Sequence, residues 1–345
     1  EVDDAGHRVG GETGNLVARF DGTAPSAPPF LLSAHMDTVV PGDNIRPVLR
    51  DDVIRSDGTT VLGGDDKSGI VAILEAIRVV KERRIPHGSV EVVLTICEEI
   101  GLVGAKHFDV ARLTARTGLV LDCDGVDELI TRAPAANRMT FTVHGLAAHA
   151  GLCPERGLSA ITIAGEAIAA MRLGRVDAET TANLGVIEGG LAANIVPDRV
   201  SIRGETRSLD VEKLEAQTAH MRDCFERAAA GYRVTLEGRP HAPRLEAQIA
   251  RDYERLYVGD DAPVVKLLRG AATRLGRPFR TRASGGGSDA NVFNAAGLEI
   301  ANLGCGMRDI HTLNEWIDVR DMVATSQLLV EALRLHAEGA AGQTA

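Results

Sequence analysis

A short apolar stretch over residues 30–34 ends abruptly at His35, and a carboxylate follows two positions later at Asp37. Such stretches are typical of buried strands in open α/β sheets, whose ligands gather beyond the carboxyl ends of the strands. His35 is therefore a candidate metal ligand, and Asp37 could accept its second ring N–H and fix the tautomer. Because an isolated His-x-Asp pair is more often an ordinary loop feature, this interpretation depends on what the other strands carry.

Strand and helix patterns alternate along the chain around this stretch. A clear helix begins at Gly63-Gly64-Asp65-Asp66, after which apolar residues recur at helical spacing. The fold that this order predicts is α/β, with a parallel-type mixed sheet flanked by helices and joined by right-handed crossovers. We predict a long loop over residues 39–60, and strands over residues 14–20, 30–34, 89–96 and 118–121.

The pattern changes in the middle of the chain and later changes back. A β-α-β-β-α-β order predicts an inserted ferredoxin-like α+β domain, with a helix over residues 211–230 and a final strand over residues 232–237. A chain of 345 residues is long enough for two domains. We therefore expect a catalytic domain over residues 1–129 and 251–345, interrupted by an inserted domain over residues 130–250.

Histidines and carboxylates collect at the ends of the predicted strands and at the start of the predicted helix. Because the carboxyl ends of parallel strands meet at one edge of a sheet, these groups can converge although they are far apart in sequence. Nitrogen and oxygen ligands without thiolate suit zinc, with manganese or cobalt as alternatives. Two ions about 3.5–4 Å apart would need a bridging carboxylate, which Asp65 could provide. The candidates are His35, Asp37, Asp65, Asp66, Glu98, Glu99, Asp122 and His311.

Each candidate also has a simpler explanation. The alternatives are helix capping for Asp65 and Asp66, a solvated loop for Glu98 and Glu99, and an ordinary loop histidine for His311. Asp122 and Asp124 compete for one position, and we favour Asp122 because it ends its strand directly. It is the joint occurrence of these residues that favours a metal centre.

A series of short segments occurs in order along the chain: AHMDTVVPG, LGGDDKSGI, CEEIGLVGA, LVLDCDG, HGLAAHAG, ANIVPD, GETRS, SGGGSDANVF and DIHTLNEWIDV. Together they resemble the M20 metallopeptidases, and most of all the peptidase T-like branch of tripeptide aminopeptidases. The similarity extends from about residue 14 to residue 335. It also implies an N-terminal helical segment that precedes Glu1 or has been lost.

The resemblance implies a centre of two zinc ions and a role for each ligand. His35 and Asp122 would hold one ion, Glu99 and His311 would hold the other, and Asp65 would bridge them. The metals would supply a nucleophile near neutral pH and polarise the substrate carbonyl.

The resemblance also assigns the other catalytic residues. Glu98 would be the general base, which takes a proton from the metal-bridging water and passes it to the leaving amine. Asp37 would orient His35, and the peptide bond after Asp65 would be cis. His149 in the inserted domain would reach the active site of a neighbouring subunit and steady the oxyanion. Arg207 and Asn194 would hold the carboxylate and the backbone of the substrate. The glycine-rich turn over residues 285–289, which includes Gly286, could line the substrate cleft with its backbone N–H groups.

The function implied by the resemblance is metal-dependent hydrolysis of short peptides with release of the N-terminal residue. A related alternative is an N-acyl-amino-acid amidohydrolase or a carboxypeptidase-type hydrolase with the same metal core. An alternative of another class is a catalytically idle binding protein, which the unligated base Glu98 disfavours because a non-enzyme would not need it. The chain contains neither G-x-S-x-G nor H-E-x-x-H, which disfavours a serine hydrolase and a zincin.

Composition and charge limit the classes of binding partner and the cellular compartment that we expect for this chain. A formal net charge of −10 disfavours nucleic acid and anionic membrane surfaces as main partners. No apolar run approaches the ~20 residues that span a bilayer. Five scattered cysteines without C-x-x-C favour a reduced, cytoplasmic setting. We expect a short peptide as substrate and, from the resemblance, a homodimer formed through the inserted lid or dimerisation domain.

Overall fold

The computed structural model describes residues 1–342 and separates the chain into two units, one of which interrupts the other. The first unit comprises Glu1–Ala133 and the chain from Leu256 onward, and the inserted unit comprises Pro134–Arg255. Both boundaries lie a few residues later than the expected ones, because one further strand at each junction belongs to the preceding sheet. None of the helices within residues 1–342 has the length and apolar character needed to cross a bilayer.

The elements follow one another in three groups. The chain begins with β1 Leu16–Phe20, β2 Phe30–His35, β3 Val48–Arg50, β4 Val53–Arg55, α1 Gly64–Glu82, β5 Val90–Thr95, α2 Val103–His107, β6 Thr117–Val120 and β7 Glu128–Ala133. The inserted unit contains β8 Ala135–His144, β9 Ala148–His149, α3 Ala160–Ala169, β10 Gly174–Arg175, β11 Thr180–Gly189, β12 Ile195–Val196, β13 Arg199–Ser208, α4 Val211–Ala230, β14 Val234–Leu236, β15 Arg239–His241 and β16 Arg244–Tyr253. The first unit is completed by β17 Leu256–Tyr257, α5 Pro263–Arg274, β18 Arg280–Ala283, α6 Asp289–Ala295, β19 Glu299–Leu303, β20 Met307–Arg308, β21 Trp316–Asp318 and α7 Val319–Gly342.

The main sheet of the first unit determines where the candidate ligands lie. Its strand order is β1-β5-β2-β6-β19-β7-β17, with β18 beside β7, and the central strands β5, β2, β6 and β19 run parallel. Every residue of β2 and β5 is buried, as expected for strands covered on both faces. His35 is paired with Thr95, so the carboxyl ends of β2 and β5 lie side by side. The segments that follow these strands therefore leave the same edge of the sheet.

Helix α1 connects this sheet edge to the hydrophobic core. It packs against α7 and β2, and it buries apolar residues at helical spacing, among them Ile73, Ile77 and Val80. Its first turn carries Asp65 and Asp66, which are also buried. Core packing thus fixes the start of α1 next to the end of β2.

Residues 39–60 are not a structureless loop, so that prediction is wrong. Strands β3 and β4 form a hairpin, and its turn residues Asp51 and Asp52 both have positive φ, 49° and 64°. Two positive φ values are characteristic of a type I′ hairpin turn. Strand β4 also pairs with β21 in a sheet of order β20-β21-β4-β3. Each hairpin strand is only three residues long, too short for an alternating pattern to be recognised.

The inserted unit has an antiparallel sheet of order β10-β11-β13-β8-β16, and α3 and α4 pack together against it. Helix α4 has the predicted bounds, which confirms that prediction. A strand does form within the predicted residues 232–237, namely β14, but it lies in a separate hairpin with β15 and is not the final strand of the sheet, so that part of the prediction is wrong. The sheet is completed instead by β16, which pairs with β8. Residues 244–249 of β16 alternate between polar and apolar, as a strand does, but most of the strand is exposed, and it was not among the predicted strands.

Candidate metal centre

Two groups of side chains in the first unit bring ligand atoms close enough to share a metal ion. His35, Asp65 and Asp122 form one group, and Asp65, Glu99 and His311 form the other, with the ligand atoms of each group within 4.8 Å of one another. Metal–ligand bonds of about 2.0–2.2 Å allow one ion to lie among donor atoms at this spacing. The structure therefore brings together all of the residues that were predicted as ligands.

Asp65 belongs to both groups. Its Oδ1 lies 2.9 Å from Nε2 of His35, and its Oδ2 lies 3.1 Å from Nε2 of His311. The peptide bond between Asp65 and Asp66 is cis, as the resemblance implies. Each oxygen of one buried carboxylate thus faces a different imidazole, which is the arrangement that a bridging ligand requires.

The hydrogen bonds of His35 determine which ring nitrogen can bind a metal. Nδ1 lies 3.1 Å from the backbone carbonyl oxygen of Asp37, and since a carbonyl can only accept, Nδ1 carries the proton. Nε2 is then the nitrogen that could bind a metal ion in place of its hydrogen bond to Asp65; it lies 2.9 Å from Oδ1 of Asp65 and 3.9 Å from Oδ1 of Asp122. The backbone N–H of His35 donates to Oδ2 of Asp66 at 3.1 Å. Asp66 therefore holds the main chain of His35.

Asp37 contacts two of the segments that form the site. Its carboxylate lies 3.5 Å from Nδ1 of His35 and accepts the backbone N–H groups of Glu98 and Glu99 at 3.0 and 3.2 Å. Oε2 of Glu99 lies 3.0 Å from Nε2 of His311, whereas Glu98 belongs to neither group of candidate ligands. Asp37 thus holds the turn after β5 in addition to contacting His35.

Negative charge predominates in this site, and the pKa values reflect it. Burial and the charge of Asp289 raise the pKa of Glu98 to about 9. Burial also opposes the ionisation of Asp65, but hydrogen bonds from the two histidines outweigh it and lower the pKa of Asp65 to about 2. The hydrogen bond with Asp65 raises the pKa of His311 to about 8. Cations among these oxygen and nitrogen donors would offset the repulsion, so the donor set fits a pair of divalent ions.

Asp122 and Asp124 have different surroundings. The N–H of Asp122 donates to Oδ1 of Asn302 at 2.9 Å, and Nδ2 of Asn302 donates to the carbonyl of Asp122 at 2.6 Å. Asn302 is buried on β19 and so fixes Asp122 beside His35. Asp124 is exposed and pairs with Arg282. The structure therefore brings Asp122, and not Asp124, into the candidate centre.

Two buried residues beside the centre were not predicted from the sequence. Glu315 accepts backbone N–H groups from the segment that ends in Asp65, and Asn302 holds Asp122. Glu315 lies within the segment DIHTLNEWIDV, so a closer reading of that motif could have found it. No pattern around Asn302 marks it, because its partner is distant in sequence.

His149 and Asn194, two predicted residues of the inserted unit, lie near each other at the pair of strands β9 and β12. His149 ends β9, which pairs with β12, and its Nδ1 accepts the N–H groups of Gly151 and Leu152, each at 3.2 Å. Because a backbone N–H can only donate, the neutral ring carries its proton on Nε2. Asn194 precedes β12 directly, and its backbone carbonyl accepts the N–H of Ala150 at 2.9 Å.

The other two predicted substrate-binding residues already have partners. Arg207 on β13 forms a bidentate ion pair with Glu205, with N···O distances of 2.9 and 3.0 Å. The β9–β12 pair adjoins the end of β13 at which Arg199 is paired with His144. Arg207 lies near the opposite end of β13, so the structure does not bring it beside that pair. In the first unit, the N–H of Gly286 donates to Oγ of Ser284 at 3.1 Å.

The fold and the site together define a class of protein. A mainly parallel α/β sheet with two candidate metal-ligand groups at its carboxyl edge, interrupted by an α+β unit, is an arrangement in which a pair of metal ions could activate water for hydrolysis. Residues 31–335 match Peptidase family M20/M25/M40. The chain belongs to this family of peptidases.

Individual relatives and solved structures agree with this assignment. The uncharacterized protein YqjE of Bacillus subtilis (strain 168) is 44% identical over 329 residues, covering 95% of this chain and 86% of the relative. Peptidase T of Fusobacterium nucleatum is 26% identical over 352 residues, covering 98% of this chain and 80% of the relative. The aminopeptidase PepT of Bacillus cereus ATCC 10987 superposes with a TM-score of 0.86 at 44% identity, covering 98% of this chain and 89% of that chain. A tripeptidase of Staphylococcus aureus gives a TM-score of 0.91 at 38% identity, with 98% and 88% covered. The predicted fold class and the peptidase T-like resemblance are therefore confirmed.

Proposed function

We propose that this chain is a two-zinc peptidase that hydrolyses short peptides and releases the N-terminal residue. The observation that carries the proposal is the position of Asp65, whose two oxygens face His35 and His311 at 2.9 and 3.1 Å. Two similar structures, an aminopeptidase and a tripeptidase by name, support cleavage from the N-terminus of short peptides. Manganese and cobalt are the alternative metals for this donor set.

The proposed centre assigns each ligand a place. His35 and Asp122 would hold one ion, Glu99 and His311 would hold the other, and Asp65, which belongs to both groups, would be shared by them. When bound, the two ions supply Lewis acidity for the substrate carbonyl and a nucleophilic water near neutral pH. The remaining steps belong to side chains of this chain.

Glu98 is the proposed general base. It is half-buried next to Glu99, and the bond from its N–H to Asp37 holds it in place. Cations in the centre would favour the ionised form of Glu98 and so offset its raised pKa. The carboxylate then takes a proton from the attacking water as the new C–O bond forms. It then gives that proton to the leaving nitrogen as the C–N bond breaks, so the product amine departs neutral.

The inserted unit supplies the proposed substrate contacts. Nε2 of His149 donates to the oxyanion in the active site of a partner subunit. Arg207 and Asn194 hold the carboxylate and the backbone of the substrate, which requires Arg207 to exchange Glu205 for the substrate. Gly286 lines the cleft in the first unit.

These assignments extend to assembly and location. We propose that the protein forms a homodimer through the inserted unit and that its main binding partner is a short peptide substrate. A cytoplasmic location is supported by the five cysteines, all of which are free thiols.

Product analysis of a tripeptide with three different residues tests the proposed direction of cleavage. With Ala-Gly-Leu as substrate, we expect free alanine and the dipeptide Gly-Leu to appear together. Release of free leucine with Ala-Gly would instead identify a carboxypeptidase. Hydrolysis of N-acetylalanine without cleavage of the tripeptide would identify an N-acyl-amino-acid amidohydrolase and overturn the proposal.

A further inference from the structure

A buried carboxylate that belongs to neither group of candidate ligands holds the main chain of the bridging residue. Glu315 is 2% exposed. Its Oε2 accepts the N–H groups of Leu62 and Gly63 at 2.7 and 2.8 Å, and its Oε1 accepts the N–H of Asp65 at 2.9 Å. Because an unpaired buried charge is strongly unfavourable, these three donors keep the carboxylate in one place.

Glu315 connects two segments that each carry a candidate ligand. It follows His311 by four residues, and its donors lie in the segment that ends in Asp65. The approach is close, since a Cβ added to Gly64 would lie 3.1 Å from Oε1 of Glu315. The position of Glu315 therefore determines where the main chain of Asp65 lies relative to the His311 segment.

Neighbouring residues anchor the His311 segment to the rest of the unit. Trp316 pairs with Arg55 of β4, and the guanidinium of Arg55 lies 5.2 Å from the centre of the Trp316 ring. The same arginine donates to the carbonyl of Asn314 at 2.9 Å. With its own segment fixed in this way, Glu315 can act as a rigid support for Asp65.

We propose that Glu315 is a positioning residue, which sets the place of Asp65 opposite His311 and thereby the metal affinity of the centre. This inference rests on the proposed function of the cluster as a metal centre. A carboxylate with a merely structural role would stabilise the fold without affecting metal binding by the folded protein. Glu315 differs from such a residue because one of the N–H groups that it holds belongs to the bridging ligand.

The chain offers a matched control in Glu91. It is also 2% exposed, and its Oε2 accepts the backbone N–H groups of Thr114 and Ala115 at 2.9 and 2.8 Å. Glu91 lies four residues before Thr95, at the opposite end of β5 from the candidate centre. A substitution there disturbs the same kind of hydrogen bond at a distance from the ligands.

The experiment compares Glu315→Gln with Glu91→Gln in metal-free protein. In Glu315→Gln an NH₂ group replaces an oxygen that faces a backbone donor whichever way the amide turns. In Glu91→Gln the NH₂ group faces either the two backbone donors at Oε2 or Arg19 and the hydroxyl of Thr114 at Oε1, so this variant also loses at least one hydrogen bond. Zinc affinity is measured by competition with a chelating indicator, at a temperature where circular dichroism shows each protein folded. We expect the zinc dissociation constant of Glu315→Gln to rise about 10- to 100-fold, as for other partners that orient metal ligands. We expect Glu91→Gln to lower the Tm while its zinc affinity stays that of the wild type.

The outcomes separate the inference from the proposed function. Wild-type zinc affinity in folded Glu315→Gln would overturn the inference and leave the proposed centre standing. A wild-type protein that binds no zinc would overturn both. If Glu315→Gln does not fold, zinc affinity is measured for Glu315→Asp instead. This variant keeps the carboxylate, but its side chain is one methylene shorter, so the carboxylate lies farther from the N–H of Asp65. Weakened zinc binding by folded Glu315→Asp supports the inference, and unchanged binding overturns it.

Discussion

The two units hold their candidate residues in different ways. In the first unit, ligands from separate segments meet at one sheet edge, and buried partners such as Asn302 and Glu315 fix their main chains. In the inserted unit, His149 is exposed and Arg207 is paired with its strand neighbour Glu205. The comparison indicates that the first unit is preorganised for its chemistry. On the proposed function, Arg207 would have to exchange Glu205 for the substrate, and His149 would have to meet the active site of a partner subunit.

Metal removal tests the preorganised unit most severely. Chelation is expected to abolish peptide hydrolysis, because the side chains alone supply no Lewis acid, and added zinc should restore it. Elemental analysis of the active protein should give two metal ions per chain, as expected for a bridged pair. Full activity in protein shown to be free of metal would contradict the interpretation of the first unit as a preorganised metal centre.

The general-base assignment predicts the next largest effect. Glu98→Gln should lower turnover about 10²- to 10⁴-fold, because only proton transfer is removed. Both metal ions should remain bound, which elemental analysis checks. Glu99→Gln is the matched control, since this neighbouring substitution should reduce metal content as well as turnover. Unchanged turnover in Glu98→Gln would end the assignment of Glu98 as the base.

Subunit mixing tests the proposed dependence of the inserted unit on a partner. His149→Ala should lower kcat about 10²- to 10³-fold through loss of an oxyanion donor, and Arg207→Ala should weaken substrate binding. If His149 acts in the partner's site and Arg207 in its own, a mixture of the two variants should regain part of the activity. Native mass spectrometry would verify the exchange of subunits. Verified exchange without recovered activity would count against action across the subunits.

A core substitution should have the smallest effect on the metal site. Phe141 of the inserted unit is fully buried, and its ring centre lies 4.6 Å from that of Phe225. Phe141→Ala should cost about 3–5 kcal/mol of stability through cavity formation, as measured by denaturant unfolding. Zinc affinity of the folded protein should stay at the wild-type value, because the proposed ligands all lie in the first unit. A loss of zinc affinity in folded Phe141→Ala would show that zinc binding by the first unit depends on the core of the inserted unit.

The parts of the fold that could be predicted have strong local signals. The fully buried strand β2 and the long amphipathic helix α4 are examples, and the bounds of α4 were predicted without error. The hairpin of β3 and β4 was missed because its strands are short. Strand β16 was missed although its residues 244–249 alternate between polar and apolar, since most of the strand is exposed and it packs little of its surface into the core. Short or exposed strands are stabilised by pairing with neighbours that are distant in sequence, and a single sequence does not record that pairing.

The same distinction applies to the site. His35, Asp65 and Asp122 could be predicted because each stands directly at a strand end or a helix start. Asn302 could not, since it acts on backbone groups of Asp122 that only the folded chain brings near it. For Glu315 the segment DIHTLNEWIDV is a signal, but it does not show which backbone groups the carboxylate holds. The roles assigned to individual residues remain predictions.

Anomalous diffraction from crystals grown with zinc would test the central claim most directly. The account predicts two peaks at the zinc absorption edge, about 3.5–4 Å apart, with the carboxylate of Asp65 between them. His35 and Asp122 should contact one peak, and Glu99 and His311 the other. A map without a zinc peak beside Asp65, from crystals of protein that hydrolyses tripeptides, would contradict the account.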